Sequence, residues 1–183
     1  MVKLYEPAAC RLPKSACRPP ETRSDKRMFT PKRHAPDDPD LGHILALIRE
    51  NFAYMEARID PPSSMHRLTR EALAKACETG EVWSLGPPPR ACVVLTFKPD
   101  ALYLGKLATD KTLRGQGLAR QLVEIAEHRA RALGLPRLEL QTRVELVENH
   151  RAFERLGFVK TGETAHDGYD RPTSITMQRP VTP

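Results

Sequence analysis

Several features that would assign a class of protein at once are missing from this sequence. No apolar run approaches the roughly 20 residues of a membrane-spanning helix, and the N-terminus has no apolar segment typical of a secretory signal. The four cysteines, at positions 10, 17, 77 and 92, match no zinc or redox spacing. We therefore expect a cytoplasmic protein without a membrane segment, disulfides or a metal site.

Acidic residues are scarce at the start of the chain. Residues 1–36 hold nine Lys/Arg against three acids, whereas the other 147 residues hold 20 of each sign. The net charge of +6 thus belongs to the N-terminal segment, which argues against a uniformly basic domain that binds nucleic acid. Two interpretations of this segment stay open: a tail that binds RNA or lipid, and, more simply, a tail that is only solvated.

The first 27 residues also lack hydrophobic periodicity. They contain four prolines among scattered charges, a composition that buries too little apolar area to offset chain entropy. We predict a disordered basic extension over residues 1–27 and one folded domain over 28–183. A further hypothesis is that Met28 is the native initiator, which the intact mass of the native protein would test.

The folded part reads as an α/β (α+β) domain with a mixed, mostly antiparallel sheet flanked by helices. An apolar stripe predicts a helix from Leu41 to Phe52 capped by Asp40, and Thr69 caps a second helix that Gly80 ends. A short strand is expected near Phe29. The other predicted strands span 82–85, 91–97, 101–109, 137–142, 158–163 and 173–177, and the other helices span 118–133 and 149–156.

The stretch TDKTLRGQGLA, residues 109–119, follows an apolar strand and opens the longest amphipathic helix. Gly115 and Gly117 allow left-handed backbone and close approach to a ligand. The free amides at the helix start, with Arg114 beside them, would then form an anion site that fits a pyrophosphate. Alternatively, the glycines only make a tight turn. Neither a Walker loop nor a Rossmann GxGxxG is present.

This stretch resembles a known family. Arg114-Gly115-Gln116-Gly117-Leu118-Ala119 is similar at every specified position to the Q/R-x-x-G-x-G/A signature of the GNAT N-acetyltransferases. The resemblance extends to the strand before the turn and to residues 149–158, which end in the Leu156-Gly157-Phe158 typical of a later family motif. It covers roughly residues 28–180, and the element order matches the family fold.

The resemblance implies a function and a site. A GNAT enzyme transfers acetyl from acetyl-CoA, as co-substrate, to a primary amine by direct attack in a ternary complex, with no metal. The cofactor pyrophosphate would lie on the amides of the turn from Arg114 to Ala119. The pantetheine arm would bond the backbone at Leu107 and Thr109. Asn149 could also bond the pantetheine, or it could be the N-cap of the short helix. Gly105 fits a bulge or a close approach on this strand, or simple packing.

The sequence departs from the family at the acid that protonates the leaving thiolate. Where many members have a tyrosine four residues before the Gly of Leu-Gly-Phe, this chain has Phe153. Candidate acids or bases are Tyr103, which by period two shares a strand face with Gly105 and Leu107, and Glu145 after the next strand. Each also has a structural reading, as a core tyrosine and as a solvated carboxylate. His66 and Tyr169 are weaker candidates.

The acceptor is not specified by the sequence. The loops near the expected acceptor side carry acids and bases in similar number, so that small amines, protein N-termini and lysines all stay open. We expect a monomer or homodimer. Two rivals to the enzyme remain: an inactive acyl-CoA sensor or interaction module of the same fold, which Phe153 keeps open although the intact turn favours an enzyme, and a nucleic-acid-associated protein that uses the tail.

Overall fold

The computed structural model describes residues 29–182, so the N-terminal extension lies outside the described residues. Four helices and seven strands form one layered unit, in which a single sheet lies between helices on both faces. The helices are α1 (Leu41–Phe52), α2 (Arg70–Thr79), α3 (Leu118–Ala132) and α4 (Val147–Glu154). The strands are β1 (Pro31–Arg33), β2 (Gly80–Leu85), β3 (Ala91–Phe97), β4 (Leu102–Thr109), β5 (Arg137–Arg143), β6 (Val159–Thr164) and β7 (Ser174–Pro180).

The sheet order is β1-β2-β3-β4-β5-β7-β6. Every neighbouring pair is antiparallel except β4 and β5, which run parallel. The mixed, mostly antiparallel sheet with flanking helices is therefore confirmed. The position of β7 between β5 and β6 could not be read from the sequence, because it depends on pairing between distant segments.

Two apolar clusters lie on opposite faces of this sheet. One joins α3 to buried residues such as Leu95, Leu104 and Leu140. The other joins α1 and α2 to Val82, Cys92 and neighbouring side chains. The helical stripe predicted for α1 is confirmed, since Leu41, Ile44 and Ile48 are fully buried. None of the helices between residues 29 and 182 is long and apolar enough to cross a membrane.

A bulge interrupts the pairing of β3 with β4. Cys92 lies opposite Ala108 and Val94 lies opposite Gly105, so Lys106 and Leu107 together occupy the place of one residue. Lys106 has a left-handed backbone with φ of 52°. The bulge expected at Gly105 is thus present immediately after it.

The bulge changes the sheet face on which the side chains at the end of β4 lie. Leu104 packs in the α3 cluster, and beyond the bulge Leu107 packs against the same cluster while Ala108 belongs to the α1 cluster. The prediction that Tyr103, Gly105 and Leu107 share one face is therefore wrong. Strict alternation fails because the extra residue shifts the phase of the strand.

Of three predicted helix ends, one is confirmed and two differ from the sequence predictions. Thr69 caps α2 as predicted, since its hydroxyl accepts from the Ala72 amide at 3.2 Å. Asp40 makes no side-chain cap and instead bonds Lys32 Nζ at 2.8 Å. Gly80 does not end α2 in a left-handed turn: it is extended, with φ of −159°, and begins β2. A Cβ there would lie 2.2 Å from the Leu95 carbonyl oxygen, so close strand packing requires this glycine.

The fourth helix begins earlier than predicted. Its first residue is Val147 and Leu146 is the capping residue, so Asn149 is the third residue of α4 and not its N-cap. The Asn149 amide already donates to the Leu146 carbonyl at 2.9 Å. The side chain of Asn149 is therefore available for other contacts.

Candidate active site

The turn before α3 has the geometry of an anion site. Gly115 and Gly117 are both left-handed, with φ of 80° and 85°. The first helical bond runs from the Gln121 amide to the Gly117 carbonyl at 3.0 Å. The amides of residues 118–120 precede that bond, and they lie at the positive end of the helix dipole. A Cβ on Gly115 would meet no protein atom within 4 Å, so the space beside it is open.

A cavity of about 700 Å³ leads away from this turn and is called here the helix cavity. It lies between the end of β4, the turn, α4 and the end of α1. Three cationic side chains line it near the turn, namely Lys111, Arg114 and Arg155. Arg155, at the end of α4, was not singled out from the sequence, although a basic residue directly before the Leu156-Gly157-Phe158 motif was the available signal.

A second opening lies where β4 and β5 part. The two strands pair only at Leu102 with Leu138 and at Tyr103 with Glu139. Beyond these pairs a cleft of about 410 Å³ opens between them, called here the strand cleft. It shares five lining residues with the helix cavity, so the two openings adjoin. The shared residues are Phe52, Met55, Leu107, Asn149 and Phe153.

Most residues predicted to bind a cofactor lie on these openings. Those on the helix cavity are Leu107, Thr109, Arg114, Gly115, Ala119 and Asn149. Gly117 and Leu118 line a smaller groove beside the turn, which shares Arg114, Gly115 and Ala119 with the helix cavity. Gln116 lines none of these three openings, and its amide donates to the Leu113 carbonyl at 3.3 Å.

Tyr103 lies in the strand cleft where the two strands begin to part. Lys98 Nζ lies over the Tyr103 ring, 4.6 Å from the ring centroid. A Cβ on Gly105 would lie 3.4 Å from the Tyr103 ring. Burial raises the pKa of the Tyr103 phenol and the charge of Glu139 raises it further, against a hydrogen bond with the Gln141 backbone that lowers it. The phenol therefore stays protonated at neutral pH and suits a proton donor.

The other predicted acid–base candidates lie outside both openings. Glu145 follows β5 and is placed against Arg143 and Arg171, at 3.6 Å and 3.8 Å. It is not among the residues that line the strand cleft or the helix cavity. His66 lies 3.5 Å from Glu56, and the Tyr169 hydroxyl donates to Asp60 at 2.6 Å, which raises the pKa of that phenol.

Phe153 occupies the wall between the two openings. Its ring meets Phe158 edge to face, with centroids 6.0 Å apart. On the same helix, Asn149 Nδ2 donates to the Tyr54 hydroxyl at 3.2 Å. Tyr54 thus brings a phenol to the helix cavity that the sequence did not indicate, because it comes from the 3-10 helix Ala53–Met55 after α1, far from α4 in the chain.

Two more residues of the strand cleft were missed by sequence reasoning, Arg143 and His166. His166 Nδ1 lies 2.5 Å from the Thr173 hydroxyl, and Arg143 Nη1 lies 3.5 Å from His166 Nε2. The available signal was an arginine at the end of the strand that parts from β4.

One group of potential metal ligands lies elsewhere, at β1 and the start of α1. His34, Asp38 and Asp40 come together there. Lys32 Nζ bonds both carboxylates, at 2.9 Å to Asp38 and 2.8 Å to Asp40. The lysine ammonium thus offsets part of the negative charge of this group.

A sequence model of the acetyltransferase (GNAT) family matches residues 48–158, more than half of the chain. The chain belongs to the GNAT acetyltransferase family. The match contains β4, the glycine turn, α3, β5 and α4, which supply much of the lining of both openings. The resemblance stated from the sequence is therefore confirmed.

Named relatives of this GNAT chain are acetyltransferases. An IAA acetyltransferase of Azospirillum brasilense is 28% identical over 149 residues, covering 80% of this chain and 96% of the relative. N-alpha-acetyltransferase 30 of Saccharomyces cerevisiae is 32% identical over 77 residues, covering 39% of this chain and only 44% of that protein. The crystal structure of the NatC complex bound to Gag peptide and CoA includes a chain with a TM-score of 0.59 and 22% identity, covering 85% and 99% of the two chains, which shows the shared fold.

Proposed function

We propose that this GNAT protein transfers the acetyl group of acetyl-CoA to a primary amine by direct attack in a ternary complex. The observation that carries the proposal is that the helix cavity, which begins at the glycine turn, adjoins the strand cleft and shares five lining residues with it. With its pyrophosphate on the turn, acetyl-CoA could extend its thioester to the wall that the two openings share, where an amine in the strand cleft would meet it.

The cofactor would be held mainly by backbone. The turn amides and helix dipole would bind the pyrophosphate, with Arg114, Lys111 and Arg155 supplying positive charge. Beyond Tyr103, the β4 edge has parted from β5. An extended pantetheine arm could add to this edge at Leu107 and Thr109, as a further strand would.

The chemical step joins the two openings. A neutral amine nitrogen attacks the thioester carbonyl carbon, a C–N bond forms, and the C–S bond breaks to release the coenzyme A thiolate. The ammonium formed at the new amide loses a proton and the thiolate gains one. We assign thiolate protonation to Tyr103, because its phenol lies in the strand cleft and is held in the protonated form.

Calorimetric titration of acetyl-CoA into the full chain tests the proposal. The parent should bind with micromolar affinity, and a Gly117→Trp variant should not bind, because the indole would fill the turn. Gly162→Trp is the matched control, since a Cβ at Gly162 on the edge strand β6 meets nothing within 4 Å. Circular dichroism must show that all three proteins are folded.

Thiol release in the presence of amines then separates an enzyme from a binding module. Turnover supports the transferase. Binding of acetyl-CoA without turnover of any amine would favour the sensor reading that Phe153 keeps open. A folded parent that binds no acetyl-CoA would overturn both readings.

A further inference from the structure

The strand cleft has a one-sided charge. Among the described residues that line it, the charged side chains are Arg67, Lys106 and Arg143, and none of the lining residues is Asp or Glu. His166 and several neutral polar groups complete the polar part of the wall. A site built for a purely cationic amine would be expected to present carboxylates instead.

Two acids of the surrounding loops, Asp60 and Glu56, are engaged outside the cleft. Asp60 accepts from the Tyr169 hydroxyl at 2.6 Å and lies 3.3 Å from Arg171. Glu56 lies 3.5 Å from His66. The balance of signs in the loop sequences is therefore not the balance inside the cleft.

Arg143 is the most constrained of the three cations. Its side chain is only 12% exposed, and its Nε and Nη2 atoms are buried without a hydrogen-bond acceptor. Its Nη1 has a long contact of 3.5 Å to His166. Glu145 Oε2, which is also buried without a hydrogen-bond partner, forms an ion pair with Nε at 3.6 Å, longer than a hydrogen bond. The guanidinium therefore has one carboxylate close by but is short of hydrogen-bond acceptors, which buried donors normally have.

The lysine of the cleft holds its positive charge less firmly than the two arginines. Burial lowers the pKa of the Lys106 ammonium, whereas a guanidinium stays charged at any pH a protein tolerates. Arg67 is exposed at the end of the short 3-10 helix Ser64–Arg67. Arg143 is thus the main candidate for binding an anionic ligand in addition to its ion pair with Glu145, with Arg67 at the entrance.

We infer that the acceptor of this transferase is a small primary amine that also carries an anionic group, a carboxylate or a phosphate, bound at Arg143 in the strand cleft. The inference rests on the proposed function. A planar fork of N–H donors matches both anions. A cleft of about 410 Å³ has the size of a small-molecule site, and its cations would repel polyamines and lysine-rich peptides.

The test compares matched amines at saturating acetyl-CoA. Amino acids are assayed beside their carboxamides, and phosphoethanolamine is assayed beside ethanolamine, so that the two kinds of anion are distinguished. For at least one pair, the anionic amine should have a kcat/KM about tenfold or more above its neutral partner. In Arg143→Gln this preference should disappear through a higher KM for the anionic amine, with the neutral amine unaffected.

Arg137→Gln is the matched control, because Arg137 begins the same strand that Arg143 ends. It should keep the preference. Neutral or polycationic amines acetylated as well as anionic ones would overturn the inference while leaving the transferase intact. If the chain binds acetyl-CoA but neither turns over nor calorimetrically binds any anionic amine at millimolar concentration, the inference also fails. A chain that does not bind acetyl-CoA would instead remove the proposed function on which it rests.

Discussion

The glycine turn and the strand cleft lie at the far ends of two adjoining openings, and they differ in the chemical groups that line them. The turn presents backbone amides, two left-handed glycines and a helix dipole, all from one short stretch of chain. The cleft presents side chains from β4, β5, a short helix and the β6–β7 loop. A backbone site suits a ligand that every family member shares, whereas a site of side chains can change without disturbing the sheet. The contrast explains why the donor can be proposed more specifically than the acceptor.

The largest effect is expected where the backbone itself is altered. In Gly115→Val, a β-branched residue must adopt φ near 80°, which costs roughly 1–2 kcal/mol of stability, and the side chain points into space kept open for ligand. Acetyl-CoA affinity should fall by about 100-fold, equivalent to about 2.7 kcal/mol. Calorimetry and thermal melting measure the two effects.

Gly162→Val is the control for this change, since that glycine has no left-handed φ and a Cβ added to it would meet no atom within 4 Å. Its acetyl-CoA affinity should equal that of the parent. If Gly115→Val also binds acetyl-CoA like the parent, the turn does not hold the cofactor. The contrast between a turn that binds through its backbone and a cleft that binds through side chains would then be wrong.

A smaller effect is expected from a side chain in the cleft. Tyr103→Phe should lower kcat by about tenfold or more, with little change in acetyl-CoA affinity, because only the proton donor is lost. Since burial raises the pKa of the phenol above its usual value of 10.0, activity that depends on its proton should be lost only above about pH 10. A pH–rate profile with single-turnover kinetics measures this.

A second variant sharpens that test. Phe153→Tyr in the Tyr103→Phe background returns a phenol to the wall between the two openings and should recover part of kcat. An unchanged rate in Tyr103→Phe would remove Tyr103 from the chemistry. The reaction would then have to use another donor, or release coenzyme A as the thiolate.

The smallest effect on activity is expected outside both ends, at Asp38. Burial raises the pKa of this carboxyl, but hydrogen bonds from Lys32, the Asp40 amide and His34 outweigh it and lower the pKa to about 2. The folded state therefore gains stability above the ordinary value of 3.8, and this gain is lost as pH falls toward about 2. Asp38→Asn should leave kcat and acetyl-CoA affinity unchanged.

Urea unfolding checks the stability part of this prediction. Between about pH 6 and about pH 3, the parent should lose about 1 kcal/mol more unfolding free energy than Asp38→Asn, because only the parent carries the depressed carboxyl. Equal losses would show that the Lys32 pair contributes nothing measurable. Altered acetyl-CoA binding in the variant would mean that this edge of the sheet is coupled to the site.

The same contrast separates what the sequence could reveal from what it could not. The turn was predictable because the consecutive residues from Arg114 to Ala119 include the glycines that favour positive φ, the start of a helix and a basic side chain. The cleft was not predictable, because Lys106, Arg143 and His166 meet only through the strand order β4-β5-β7, which depends on long-range pairing. Arg67 joins them from a separate 3-10 helix. The predicted alternation of side chains also failed at Leu107, because one additional residue in β4 moves the following side chains to the opposite face of the sheet. The predicted Asp40 cap failed because Lys32 binds the carboxylate instead.

The bulge at Lys106 and Leu107 has a consequence for folding. A uniform strand can slip along its neighbour and keep some of its contacts, but β4 presents Leu104 to one core and Ala108 to the other. A slip of one residue would misplace apolar side chains on one side of the bulge or the other, so this pairing admits a single alignment. The passage between β4 and β5 exists only in that alignment. Acetyl-CoA binding would then report on correctly assembled molecules alone, which makes it an assay of folding fidelity as well as of function.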